Sequence, residues 1–175
     1  MSNTQSLENQ VRPMVRSDLP LVLAWRNHIS VRSYMYSQHE IGAAEHESWY
    51  EKSMRNSNHH LLIFEYEREP IGFVKFVQIE NTKDADWGFY AAPHAHVGTG
   101  RQLGYTALRY GFEKLGLVKI KGQALNHNER SIKMHLALGF NRLSIKEDTY
   151  YDGKKNHQIV AFSILRDDWV PSDYK

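Results

Sequence analysis

Tyr90-Ala-Ala-Pro-His-Ala-His-Val-Gly-Thr-Gly-Arg-Gln-Leu-Gly104 is the stretch on which the fold turns. A strand-like segment over 86–91 runs into it, and a helical pattern from about Gly100 to Leu115 runs out of it. Gly98 and Gly100 remove Cβ atoms where a backbone must curl tightly. The N–H groups of such a curl converge, and the helix start behind them adds a partial positive charge. The segment is therefore either a pyrophosphate cradle or an ordinary glycine-rich turn. It is not a Walker loop, which needs Gly-x-x-x-x-Gly-Lys-Ser/Thr. It is not a Rossmann turn either, because the spacing Gly98, Gly100, Gly104 is one residue too long.

Outward from the loop, strand and helix patterns alternate. Residues 118–125 read as a strand and 129–138 as a helix. Residues 140–150 and 157–165 read as strands joined at Asp152-Gly153, a strong hairpin signal. Toward the N-terminus, 61–66 and 71–79 form a hairpin around the turn Glu67-Arg68-Glu69-Pro70, and 11–15 a first strand. Ser17 is expected to cap a helix carrying Leu19, Val22, Leu23 and Arg26, with Asp18 beside its positive end. A short helix over 31–36 and a third over 44–55, with Trp49 and Met54 facing inward, follow. The order β-α-α-α-β-β-β-α-β-α-β-β implies a mixed sheet with helices on its faces. One domain over 1–175 is the simplest organisation, with a flexible polar end over about 1–10.

The second informative stretch is Asn126-His-Asn-Glu-Arg-Ser-Ile-Lys-Met-His-Leu-Ala-Leu-Gly-Phe140. A Gly-x-Gly loop at a strand end, then a strand, then Asn-x-x-Ser on a helix closing in Leu-Gly-Phe, resembles the GNAT acetyltransferases. The resemblance implies an α/β (α+β) fold whose central sheet is mixed, mostly antiparallel, splayed and flanked by helices. It implies acetyl-CoA as co-substrate, with Val97, Gly98, Thr99 and Gly100 on its pyrophosphate. The strand matching Gly88 to Ala91 would part from its neighbour and admit pantetheine. A backbone N–H in that region, Ala91 included, would polarise the thioester carbonyl. Asn128 matches an asparagine that contacts the pantetheine arm.

Two positions depart from that pattern: Ala95 stands where Arg or Gln is usual, and His135 where Tyr is usual. His135 is expected to act as the general acid for the departing thiolate, since imidazole titrates near neutral pH. The other reading is a satisfied helix histidine packed near the core.

The N-terminal segments Leu23-Ala-Trp-Arg-Asn-His28, Val31-Arg-Ser-Tyr-Met-Tyr36 and Glu45-His-Glu-Ser-Trp49 carry a narrower likeness. They resemble the N-acetyltransferases of pseudaminic acid biosynthesis, related in turn to ribosomal-protein N-terminal acetyltransferases. The resemblance implies transfer to the 4-amino group of UDP-4-amino-4,6-dideoxy-N-acetyl-β-L-altrosamine, whose product feeds a nonulosonic acid for flagellin or surface polysaccharide. Arg26, His46 and Tyr90 match positions lining the nucleotide-sugar pocket. Arg26 can fork onto a diphosphate, His46 can donate to a phosphate or hydroxyl, and Tyr90 can orient the amine. Met35 and Tyr36 would wall the 6-methyl group or the uracil. The alternatives are a carboxylate partner for Arg26, a solvated His46, sheet packing for Tyr90 and a core place for Met35. No base is singled out: Glu80, Asp84 and Asp86 lie near by sequence, and a water chain serves equally.

Composition narrows the field. Lysine and arginine total 22 against 20 acidic residues, without a polybasic run, so no nucleic-acid partner is expected. The absence of cysteine removes disulfides, thiolate nucleophiles and Cys-ligated zinc. Ten histidines, among them His59-His60 and His94-x-His96, lack a third-ligand pattern, so no metal is expected. No apolar run has membrane-spanning length, and a cytoplasmic protein is expected, with a homodimer as an open option. Protein N-terminal acetylation and a non-catalytic acetyl-CoA-binding module remain the alternative functions.

Overall fold

The computed structural model describes residues 9–143 and 149–171. Strands β1 (Gln10–Pro13), β2 (His59–Tyr66), β3 (Glu69–Gln78) and β4 (Asp84–Ala91) make one antiparallel half of a sheet. Strands β5 (Lys119–Leu125), β6 (Asn141–Arg142), β7 (Thr149–Tyr151) and β8 (Asn156–Leu165) make the other, and β4 joins β5 in parallel. The spatial order is β1-β2-β3-β4-β5-β8-β6, with β7 pairing β8 off that path. The parallel join needs a crossover, which is helix α4 (Thr99–Arg109) and the π-helical turn Tyr110–Lys114. Helix α5 (Glu129–Ala137) lies beside it, as the α4–α5 and α5–β5 contacts show.

Helices α1 (Leu19–Asn27), α2 (Ile29–Arg32) and α3 (Ala43–Met54) precede β2. Side-chain contacts divide the sheet into two faces. Trp49 of α3 meets Phe73, which stacks toward Tyr90. On the opposite face, Gly72 lies against Leu103 of α4, and Gly111 against Phe76 and Ile120. Because both faces are covered, β2 and β3 read as nearly continuous apolar runs, and Ile63, Phe64, Val74 and Phe76 are fully buried.

The structure refines several expectations. Ser17 does not cap α1; it lies in a 3-10 turn, Arg16–Asp18, and Asp18 occupies the cap position. The Asp18 carboxylate instead accepts from Val15 N–H and from both terminal nitrogens of Arg12, whose Nε donates to Glu65. The second helix ends at Arg32, and Met35 and Tyr36 follow in irregular chain. Met54 is exposed. The β2–β3 turn is tighter than expected, with Glu67 and Arg68 at φ 51° and 69°, so Pro70 belongs to β3 and a bulge falls at Phe64/Glu65. The expected strand over 140–150 yields β6 and β7, and residues 144–148 lie outside the described residues. So do 1–8 of the expected flexible end, while Gln10 already pairs with Glu65. The Asp152-Gly153 hairpin forms, with Gly153 at φ 92°.

Candidate functional site

The β4–β5 join is only three residue pairs long: Asp84 with Lys119, Ala85 with Ile120, and Asp86 with Lys121. Beyond it β4 stays paired to β3 as far as Ala91, and β5 stays paired to β8 as far as Leu125. The two strands therefore diverge into a wedge. Ladder alternation fixes what faces it. Ile79 N–H donates to Asp84 O and Ala92 N–H to Ile71 O, each at 2.8 Å. Even-numbered β4 residues thus exchange bonds with β3, and the N–H groups of Phe89 and Ala91 turn toward the open side.

The glycine loop sits at the end of β4. Gly98 has φ 96°, a left-handed conformation strained for any other residue, and a Cβ on Gly100 would meet Met134 Sδ at 3.2 Å. Gly98 O accepts from Arg101 and Gln102, and Thr99 N–H returns to His96 O. Among the described residues, the N–H groups of Val97, Gly98 and Gly100 take no backbone partner, so they remain for an anion at the start of α4. The Val97 side chain stands in solvent while Thr99 is fully buried. Ala95 packs against the core. Asn128 Oδ1 caps α5 by accepting from Ser131 N–H at 3.1 Å, which leaves Nδ2 as the side chain's donor. These residues fit a pyrophosphate-bearing ligand through backbone donors.

His135 is corrected by its surroundings. It is 1% exposed, stacked on Phe162 at 4.6 Å and edged by Trp87, Phe89 and Phe140. Its Nε2 accepts from Trp87 Nε1–H at 3.1 Å, and Nδ1 lies 2.8 Å from Ser131 O. An indole can only donate and a carbonyl can only accept, so the tautomer is fixed with its proton on Nδ1. Burial pushes the imidazole down to about 4. Both ring nitrogens are engaged by interior partners, so neither presents a free proton to a ligand. His135 is a neutral packing residue that fixes Trp87 against β5, with Gly122 making room: a Cβ there would meet Nε2 at 2.5 Å.

On the opposite face, Arg26, His46 and Tyr90 come together. Rings step from Tyr90 to Phe73 (5.2 Å), Trp49 (6.0 Å) and His46 (5.0 Å). His46 is 5% exposed, and burial together with the Arg26 charge lowers its pKa. Burial raises the Tyr90 phenol, with Arg26 opposing, so it is neutral at physiological pH. Arg26 Nη2 donates to Ser37 O at 2.6 Å, whereas its Nη1 is buried without a partner. Met35 is half-buried on the same loop as Ser37. Tyr36 reaches further, donating to Gln123 Oε1 of β5 at 2.9 Å, and its carbonyl takes the Tyr150 hydroxyl. Gln123 and Tyr150 were not foreseen. Neither carries a sequence signal that separates it from its neighbours: β5 also holds Lys119 and Lys121. Among the expected base candidates, Asp84 is tied to Lys121 at 3.5 Å.

A wedge between parallel strands, with a left-handed glycine cradle at its mouth, is the geometry the matching family predicts. The family profile described as acetyltransferase (GNAT) domain matches residues 10–141. The chain belongs to the GNAT acetyltransferases.

It is an acetyl-CoA-dependent N-acetyltransferase with an amine acceptor. Spermidine N(1)-acetyltransferase of Escherichia coli (strain K12) is 26% identical over 133 residues, 75% of this chain and 72% of that protein. The SPbeta prophage-derived uncharacterized N-acetyltransferase YokL of Bacillus subtilis is 22% identical over 130 residues, 69% of this chain and 70% of that one. In fold, Vibrio cholerae spermidine N-acetyltransferase in complex with CoA and spermine superposes with a TM-score of 0.83 at 22% identity, covering 91% of this chain and 96% of that chain. AAC(6')-Ib in complex with ribostamycin and coenzyme A gives 0.77 at 17% identity, covering 92% and 95%. Among the described residues, no helix is long and apolar enough to cross a membrane.

Proposed function

We propose that this GNAT enzyme acetylates the 4-amino group of a UDP-linked 4-amino-4,6-dideoxy-N-acetylhexosamine, the altrosamine of the pseudaminic acid route. The observation that carries the reading is the buried, unpartnered Nη1 of Arg26 beside His46 and Tyr90. A buried guanidinium nitrogen without an acceptor costs free energy until a ligand supplies one. A diphosphate or a sugar carbonyl supplies it, whereas a polyamine, cationic at neutral pH, offers an acceptor only at a nitrogen that has lost its proton.

Trp49, in ring contact with His46, also borders a neighbouring cavity of about 510 Å³. Trp49, Lys52, His59 and Lys75 line it, with Glu45 as its carboxylate. A lining richer in nitrogen donors than in carboxylates favours an anionic acceptor over a polycation. The relatives named for spermidine make a polyamine the main competitor. In the proposed reaction, the N–H groups of Val97, Gly98 and Gly100 hold the pyrophosphate of acetyl-CoA. Those of Phe89 and Ala91 hold pantetheine and polarise the thioester carbonyl. Tyr90 positions the amine for direct attack.

The test is coenzyme A release with UDP-4-amino sugars, spermidine, an aminoglycoside and peptide amines, followed by mass spectrometry of the products. The expected result is turnover of the UDP-4-amino sugar with spermidine and peptides inert. Arg26→Met should raise the acceptor KM about tenfold or more, with the acetyl-CoA KM unchanged. Preferential acetylation of spermidine would sink the sugar assignment.

A further inference from the structure

The sequence singles out no proton acceptor for the amine, and a histidine other than His135 has the geometry for that task. His157, at the start of β8, holds its Nε2 at 2.6 Å from Asp152 Oδ2. Both side chains are largely buried, at 8% and 16% exposure. The carboxylate is itself fixed, because Asp152 Oδ1 accepts from the N–H groups of Lys154 (2.8 Å) and Lys155 (2.9 Å). Those bonds and the imidazole hold the Asp152 carboxyl far below the usual range, so it stays an anion. An ionised carboxylate can only accept, so the bond places a proton on His157 Nε2, and Nδ1 is the nitrogen left to exchange a proton.

The pair shares a face with the Tyr36 contact on β5. The β5–β8 register sets Leu125 opposite Ile159 and Gln123 opposite Ala161. Alternation then places His157 on the face of Gln123, the residue that takes the Tyr36 hydroxyl, and opposite to that of Gly122 and His135. The exposed His127 ring, one residue before Asn128, lies 5.3 Å from His157 and stacks with Tyr34 at 5.9 Å. His127 therefore lies between the buried His157 ring and solvent.

We propose that His157, oriented by Asp152 and reached through His127, accepts the proton that the acceptor ammonium sheds before attack. The freed lone pair forms the N–C bond to the thioester carbonyl carbon, and the C–S bond breaks as the tetrahedral intermediate collapses. The nitrogen's second proton goes to the departing thiolate. The first leaves from the histidines to solvent, so one proton is released for each acetyl transferred. The charged or titratable groups around His157 among the described residues are Asp152, Lys154 and Lys155 of its own hairpin, Tyr150 opposite it in register, and His127 with Tyr34 behind it. His157 and His127 are the reacting bases; Asp152 is a positioning residue. The inference rests on amine acetylation and not on the identity of the sugar.

The test is the pH dependence of kcat/KM for His157→Gln, Asp152→Asn and His127→Gln on any amine of the panel above that turns over. His157→Gln keeps a donor to Asp152 and so preserves the hairpin. Its kcat/KM at neutral pH should fall by about 10²–10⁴. The deficit should shrink as pH rises toward the pKa of the substrate amine, where free amine no longer needs a base. The acetyl-CoA KM should stay at its wild-type value. A loss equal at every pH, or a change below about threefold, overturns the proposal. Imidazole ¹⁵N spectra of the wild-type enzyme give a readout that needs no acceptor. His157 should show a protonated Nε2 and a bare Nδ1, lost as a fixed tautomer in Asp152→Asn, and the opposite tautomer also overturns it. Should the UDP-sugar be inert while spermidine turns over, the sugar assignment fails and the base assignment is still decided by the same profiles.

Discussion

Trp87 and Ser131 decide what His135 is. The donor-only indole and the acceptor-only carbonyl leave no freedom in the tautomer, and the stacked Phe162 helps bury the ring. A histidine whose folded pKa lies below its unfolded value of 6.5, at about 4, destabilises the fold in acid. Between those values the unfolded chain binds more protons. The contribution of the neutral ring is full above pH 6.5 and is lost at about 1.4 kcal/mol per unit as pH falls toward 4. His135→Gln should therefore flatten the acid side of the stability–pH curve measured by urea unfolding. It should also leave kcat within about threefold of wild type, whereas a hundredfold loss in a folded variant would restore the general-acid role. The sequence placed His135 correctly on its helix, yet it contains no statement that an indole 48 positions away would occupy Nε2. The same limit applied to Arg26: its buried, unpartnered nitrogen was not readable from the sequence.

Among the elements, those with strong local chemistry were legible and those set by distant partners were not. The glycine loop, α4, α5 and the Asp152-Gly153 hairpin announce themselves through turn residues and helical spacing. Ser17 failed as a cap because Asp18 has a better use: Arg12 draws its carboxylate back onto β1. The β2–β3 turn was misplaced for a different reason. Glu67 and Arg68 both adopt positive φ, which glycine and asparagine signal and these residues do not. That strain is removable. Arg68→Gly should stabilise the enzyme by about 1 kcal/mol, the cost of a left-handed non-glycine residue, with activity unchanged. Equal or lower stability by denaturant titration would mean that the Arg68 side chain compensates for its backbone.

Across the whole molecule, the sheet is two antiparallel halves held by a three-pair parallel join, with α4 as the strap between them. Hydrogen exchange should detect this. The amides of Phe89 and Ala91 should exchange readily in the free enzyme and gain about tenfold or more protection with acetyl-CoA, while Trp87 changes little. Unaltered exchange at Phe89 and Ala91, with binding verified by calorimetry, would place pantetheine elsewhere. On the proposed placement, the co-substrate supplies backbone partners that the chain's own fifth strand withholds. Resistance to unfolding then follows supply: at a hundredfold excess over its dissociation constant, a ligand of the native state adds about 2.7 kcal/mol. A cell short of acetyl groups would hold this enzyme in its softest form, the form most open to proteolysis, so the incomplete join between β4 and β5 ties the lifetime of the catalyst to the abundance of what it consumes.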